Sequence, residues 1–251
     1  MAQFRMKIAG YVGAVQSLFE STPVYFHPYL TEEDAHFSVA VSPEDLIAED
    51  RFLYEEALQE GLRVRKFPDP FLERAVIQRR FAEFLLPRDI LLLHGSTIAL
   101  DGTGYLFTAK CGTGKSTHTR LWREHFGSRA VMVNDDKPFL QITPEGVFAC
   151  GSPWSGKHGL DTNITVPLRG ICILERGKEN RIRPSSPEEA LPMLLHQSSP
   201  PSDPARYRDF TQLVQLLARK VPLWHMECTK DPEAAQIAAQ AMHPNRNYRR
   251  L

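Results

Sequence analysis

Residues 109–116 read Ala-Lys-Cys-Gly-Thr-Gly-Lys-Ser, a glycine-rich phosphate loop in which Ala109 replaces the first glycine. Two glycines let the backbone curl until successive N–H groups face an anion, and a helix starting at Lys115 would add its positive end. Lys115 supplies a point charge for the β- and γ-phosphates, and the Ser116 hydroxyl suits Mg²⁺. Cys111, Gly112, Thr113, Gly114, Lys115, Ser116 and Thr117 are therefore the expected nucleotide contacts. A dinucleotide fingerprint does not fit, because Thr117 stands where its third glycine belongs and Lys115 has no task there.

Asn134-Asp135-Asp136 closes an apolar run, where a strand would deliver side chains to a nucleotide crevice. One carboxylate there can hold Mg²⁺. A second exceeds that need and could take a proton from an attacking hydroxyl. By position, Asp135 is read as the base and Asp136 as the metal ligand beside Ser116; the plainer alternative is a turn with two solvated acids ahead of Pro138. His94 also ends an apolar run, and taken alone it reads as a structural histidine. Gly151 to His158 form a loop in which Pro153 and Gly156 fix the backbone, Trp154 offers a flat wall and Lys157 a cation, with Asn163 as anchor on the return. Trp154 and Lys157 are the candidate substrate contacts, against an ordinary turn with an exposed lysine. His118, Arg120 and the Glu175-Arg176-Gly177 turn are assigned surface or packing roles.

The elements that must hold these residues are legible in outline. Residues 6–15 and 36–42 read as strands, 43–58 and 68–86 as helices, the latter with Phe71, Ala75, Phe81, Phe84 and Leu85 on one side. From Pro87 the texture changes. Strands are expected at 90–93, 97–100, 105–108, 130–133, 139–142, 147–150, 170–175 and 222–227. Asp101-Gly102 marks a tight hairpin. Helices are expected from the phosphate loop to Phe126, over 187–197 and 204–220, and after Asp231. The division follows: a small N-terminal α/β domain over 1–86, a phosphate-loop domain over 87–243 and a frayed tail over 244–251.

The chain has 251 residues, 42% of them apolar, enough for a sizeable core. Its 30 Lys+Arg against 30 Asp+Glu lack the basic surplus that nucleic acid or an anionic membrane would call for. The four Cys show no paired spacing and read as reduced thiols, not as a disulfide framework or zinc site. Arg5 and Lys7 before residues 8–15 loosely imitate a signal peptide, but Gly10, Tyr11 and Gly13 dilute the stretch. A first strand and a cytoplasmic location are expected; the oligomeric state, homo-oligomer included, is left open.

From about Leu91 to Glu175 the chain resembles the catalytic domain of HPr kinase/phosphorylase and, more distantly, phosphoenolpyruvate carboxykinase. The resemblance rests on His94-Gly95 before a hairpin, the Cys111 to Ser116 loop, and Asp135-Asp136 one helix and one strand later. It implies a mixed sheet with flanking helices, ATP and Mg²⁺ as cofactors, and transfer of the γ-phosphoryl group to a hydroxyl of a peptide or protein serine or of a small metabolite. It further implies that Lys115 contacts phosphates, that Ser116 ligates Mg²⁺, that the aspartates divide metal binding and proton abstraction, and that His94 sits by the transferred group or a metal. The chain departs from the family at Thr117-His118, where a glutamate usually follows the loop serine, and it lacks the family's second, glycine-rich signature. A carboxykinase-like lyase and a nucleotide-gated binding module are the competing readings.

Overall fold

The computed structural model describes residues 1–59, 61 and 63–243; the expected tail over 244–251 lies outside them. The chain divides into two compact units, Met1–Leu85 and Leu86–Leu251.

In the first unit β1 (Ala2–Ile8) and β2 (Tyr11–Ser17) pair antiparallel. The sequence reading ran one strand through this hairpin. Ala9 and Gly10, at φ 49° and 85°, make the tight two-residue turn that divides it. A short helix α1 (Thr22–Tyr25) leads to β3 (Phe37–Ala40), which lies parallel to β2. Helix α2 (Pro43–Gln59) is opened by a reciprocal cap, Ser42 Oγ accepting from the Asp45 N–H and Asp45 from the Ser42 N–H. Helix α3 (Asp69–Leu85) buries Leu72, Val76, Ile77, Phe81 and Leu85. That face is rotated from the expected one: Phe71 is exposed and stacks on Phe67. Glu73 is what disguises the buried stripe, since its carboxylate sits fully buried and accepts from the Leu18 N–H and the Thr22 hydroxyl.

The second unit runs β4 (Ile90–Leu92), β5 (Ser96–Leu100), β6 (Thr103–Thr108), α4 (Lys115–Phe126), β7 (Ala130–Asn134), β8 (Phe139–Thr143), β9 (Gly146–Cys150), β10 (Thr165–Arg176), β11 (Arg181–Ser185), α5 (Pro187–Gln197), α6 (Tyr207–Lys220), β12 (Leu223–Cys228) and α7 (Glu233–Met242). Its strands form a curled mixed sheet flanked by helices. One part has the order β7-β5-β6-β10-β12-β11; in the other, β4-β8-β9 continue antiparallel onto Thr165–Pro167 at the start of β10. Strand β10 serves both parts, and its register slips between Leu168 and Gly170 where it passes from one to the other.

Alternation along the strands sorts the core onto two faces. Ile98, Tyr105, Phe107 and Leu174 pack with Trp122 of α4 and the alanines 234, 235, 238 and 239 of α7. Ala99, Leu106, Ile171 and Ile173 pack with α5 and α6 on the other face. Helix α6 places Phe210, Leu213, Val214 and Leu217 at helical spacing, and each such burial contributes about 1.5–3 kcal/mol. Strand β11 escaped the sequence reading because Ile182 is its one strongly apolar residue and Pro184 argues against a central strand; it is an edge strand, paired with β12 alone. Among the described residues no helix is long and apolar enough to cross a membrane.

Candidate active site

Strand β6 lies between β5 and β10, is parallel to β10, and runs in the same sense as β7, two places away. The carboxyl ends of β6, β7 and β10 therefore emerge together, where open α/β sheets carry their ligands. The loop after β6 starts with buried Ala109 and curls through Gly112 and Gly114, at φ 74° and 124°, before α4 opens at Lys115. A side chain is strained at both glycines. Lys115 is only 8% exposed. Its Nζ folds back across the curl to donate to the Ala109 carbonyl at 3.1 Å. The Arg176 guanidinium donates to the Gly112 carbonyl at 2.5 Å, tying the loop's crown to the end of β10. Cys111 is exposed, and Thr113, Ser116 and Thr117 are half-buried.

At the end of β7 the pairing with β5 is irregular, passing from Thr97↔Asn134 to Ile98↔Met132. Such a bulge re-aims the residues that follow. Asn134, fully buried, organises them: its Oδ1 accepts from the Asp136 and Lys137 N–H groups at 2.8 and 2.6 Å. Its Nδ2 donates to the Ser152 carbonyl, the Ser152 hydroxyl and the Trp154 carbonyl. One amide thus sets the aspartate turn and binds it to the loop that follows β9.

The two aspartates have different surroundings. Asp135, 5% exposed, accepts from Ser96 Oγ at 2.6 Å, and Ser96 Oγ lies 2.8 Å from Thr119 Oγ1 on α4. Because Ser96 spends its proton on Asp135, Thr119 donates to Ser96, and the relay joins α4, β5 and the β7 turn. Asp136 is half-buried, and its Oδ1 is 3.1 Å from His94 Nε2. The Gly95 N–H donates to the Asp136 carbonyl, and the Thr108 hydroxyl to the His94 carbonyl. Burial, aided by the positive charges of Lys137 and Lys115, lowers the His94 pKa despite the opposing pull of Asp136. Burial pushes Asp136 upward, but the His94 hydrogen bond and the positive charges of Lys137 and Lys115 outweigh it and hold the carboxyl below its ordinary value. At neutral pH this is a carboxylate beside a neutral imidazole donating through Nε2.

The loop after β9 reaches the same place. Gly151 is obligatory, since a Cβ there would stand 1.9 Å from the Thr162 carbonyl oxygen. Gly156, at φ 68°, rests against Asp136, with 3.1 Å between its would-be Cβ and the Asp136 Cβ. Ser155 donates to Asp161, and Asp161 bridges to Asn134. Asn163, the expected anchor on the return, is exposed, and Asn134 and Asp161 also tie the loop. Trp154 is 6% exposed with its ring edge-on to Phe139, so it packs inward, whereas Lys157 is exposed. His118 is buried, accepts from Trp122 Nε1 at 3.1 Å and packs on Phe107. The packing role expected of it is the one its surroundings describe.

Sequence reading overlooked Ser96, the hub role of Asn134, and Lys137, whose charge acts on both His94 and Asp136. An Asn directly before two acids is an Asx-turn signal that could have found the second. Among the described residues there is no cluster of three or more His, Cys, Asp or Glu able to hold a metal.

Among solved structures, the chain is similar to the Hpr(Ser) kinase/phosphatase from Coxiella burnetii, with a TM-score of 0.37 and 11% identity over 60% of this chain and 95% of that one. No family model and no curated protein matches the sequence.

Proposed function

We propose that this chain is an ATP-dependent kinase of the HPr-kinase/carboxykinase-like phosphate-loop type, transferring the γ-phosphoryl group to a hydroxyl. The acceptor is a peptide or protein serine or a small metabolite. One observation carries the reading: a glycine loop with its lysine and a helix N-terminus meets an ionised, histidine-bonded aspartate within a single electrostatic neighbourhood, Lys115 acting on both His94 and Asp136.

The division of labour follows from the surroundings. Asp136 is accessible and oriented by His94, which suits proton abstraction; Asp135 is buried on the α4 side, which suits support of the phosphate and metal end. This reverses the order read from position alone. The acceptor oxygen, losing its proton to Asp136, bonds to the γ-phosphorus while the bond to the β,γ-bridging oxygen breaks and ADP leaves. Lys115 and the loop N–H groups hold the charge that shifts to the leaving oxygen.

The donor set fits Mg²⁺ better than a transition metal. Ser116 and Asp135 offer oxygen ligands, few in number, and Mg²⁺ would fill its remaining positions with water and phosphate. A bound Mg²⁺ would neutralise phosphate charge. The test is Mg-ATP affinity by calorimetry for the wild type and Lys115→Ala. Binding should be lost or severely weakened in the variant, because backbone dipoles alone cannot cover the β/γ charge. Unchanged affinity in the variant would remove the phosphate-loop assignment.

A further inference from the structure

The turn that carries the aspartates also carries a cation that the transfer described above does not use. Lys137 follows Asp136, and its main chain is clamped from both sides. Its N–H donates to Asn134 Oδ1 at 2.6 Å and to the Trp154 carbonyl at 3.1 Å, and its carbonyl accepts from the Ser152 hydroxyl at 2.6 Å. Pro138 after it restricts what freedom that backbone has left. The root of the side chain is therefore held as firmly as the aspartates. Its ammonium, by contrast, makes no hydrogen bond or ion pair among the described residues.

Lys137 is half-buried, and its charge is felt at both His94 and Asp136. Beside a carboxylate that must take a proton, a positive charge is a handicap, because it weakens the base. That cost is offset when an anion arrives to cover the charge. The phosphates have Lys115 and the N–H groups of the glycine loop for this purpose, which leaves Lys137 to the molecule that meets Asp136. Further cations stand nearby in the chain. Gly156 rests against Asp136, and the two residues after it, Lys157 and His158, are exposed. The acid of that loop, Asp161, accepts from Ser155. An acceptor entering here meets one carboxylate for its hydroxyl and positive charge around it.

We infer that the phosphoryl acceptor carries an anionic group beside its hydroxyl, and that the Lys137 ammonium binds that group. The inference rests on the kinase reading and narrows its acceptor to a hydroxyl next to a carboxylate, as in an acidic peptide or a small hydroxy acid. It is tested on the whole chain by transfer from γ-³²P ATP to two pairs of acceptors, the members of each differing in charge alone. One pair is glycerate and glyceramide; the other is a capped Asp-Ser-Asp peptide and its Asn-Ser-Asn counterpart. The wild type, Lys137→Met and Lys137→Arg are compared, with Mg-ATP affinity measured by calorimetry for each. In at least one pair the wild type should favour the anionic member about tenfold or more in kcat/KM, the scale of one hydrogen bond to a charged group. The pair that shows the preference tells the small acid from the acidic peptide. Lys137→Met should bring the ratio close to one, and Lys137→Arg, which keeps the charge, should retain most of it. A wild type that uses the neutral member as well as the anionic one in both pairs overturns the inference. So does a wild type that binds Mg-ATP and transfers to none of the four, and so does a Lys137→Met protein with the wild-type ratio. A wild type that fails to bind Mg-ATP overturns the kinase reading instead.

Discussion

Ser96 shows how far a single hydroxyl can reach in this site. It is fully buried, gives its proton to Asp135 and receives one from Thr119, so the carboxylate on the β7 turn is held in register with α4. Replacing it by alanine leaves a 5% exposed carboxylate without that donor. Ser96→Ala should therefore cost about 1–3 kcal/mol, the usual range for an orphaned buried polar group. Because Asp136 keeps His94, the variant should still carry an oriented carboxylate. Urea unfolding checks the first statement, and a variant as stable as the wild type would show the relay to be energetically idle. The residues legible from sequence were those whose type is demanded locally: Gly112 and Gly114 for their backbone angles, Lys115 for charge, the aspartates for theirs. Ser96 and Arg176 were not legible, since their roles arise from contacts 39 and 64 residues away in the chain.

At the scale of elements, α4 joins chemistry to stability through His118. This residue sits one turn into the helix, its N–H donating to the Gly114 carbonyl, and burial drives its pKa down to about 3 from 6.5. Between those two values the unfolded chain binds a proton that the folded chain refuses. Stability is therefore complete above pH 6.5 and falls as the pH drops below it, by roughly 1.4 kcal/mol per pH unit. At pH 5 the loss from this one side chain is roughly 2 kcal/mol. His118→Gln keeps an acceptor for the Trp122 Nε1–H and has no proton to take up. Its stability should change less between pH 7.5 and 5 than that of the wild type; an identical acid loss in both proteins would place the titrating group elsewhere. The strands and helices of the second unit were largely readable because alternation and helical spacing report burial directly. What escaped was β11, a polar edge strand whose pairing with β12 is set by neighbours, and the buried face of α3, rotated because Glu73 interrupts its apolar stripe.

Considered whole, the second unit builds its site by bringing the ends of several strands to one edge of a curled sheet. Strand β6 gives the loop, the end of β7 the aspartates, the turn between β4 and β5 gives His94, the start of β5 gives Ser96, and β10 gives Arg176. No one segment is sufficient, and under the proposed kinase function this assembly moves a phosphoryl group with Asp136 as the proton acceptor. The most direct measurement compares Asp135→Asn and Asp136→Asn for Mg-ATP affinity and for γ-³²P transfer from ATP to acceptor or water. Asparagine at 136 keeps the shape and the nucleotide but cannot accept the proton, so transfer should fall about 10²–10⁴-fold with affinity preserved. Asparagine at 135 should instead weaken the Mg²⁺ dependence of ATP binding, since a neutral amide is a poorer partner for a hard cation. If both variants transfer phosphate at the wild-type rate, the aspartate pair is not catalytic and the kinase account is contradicted.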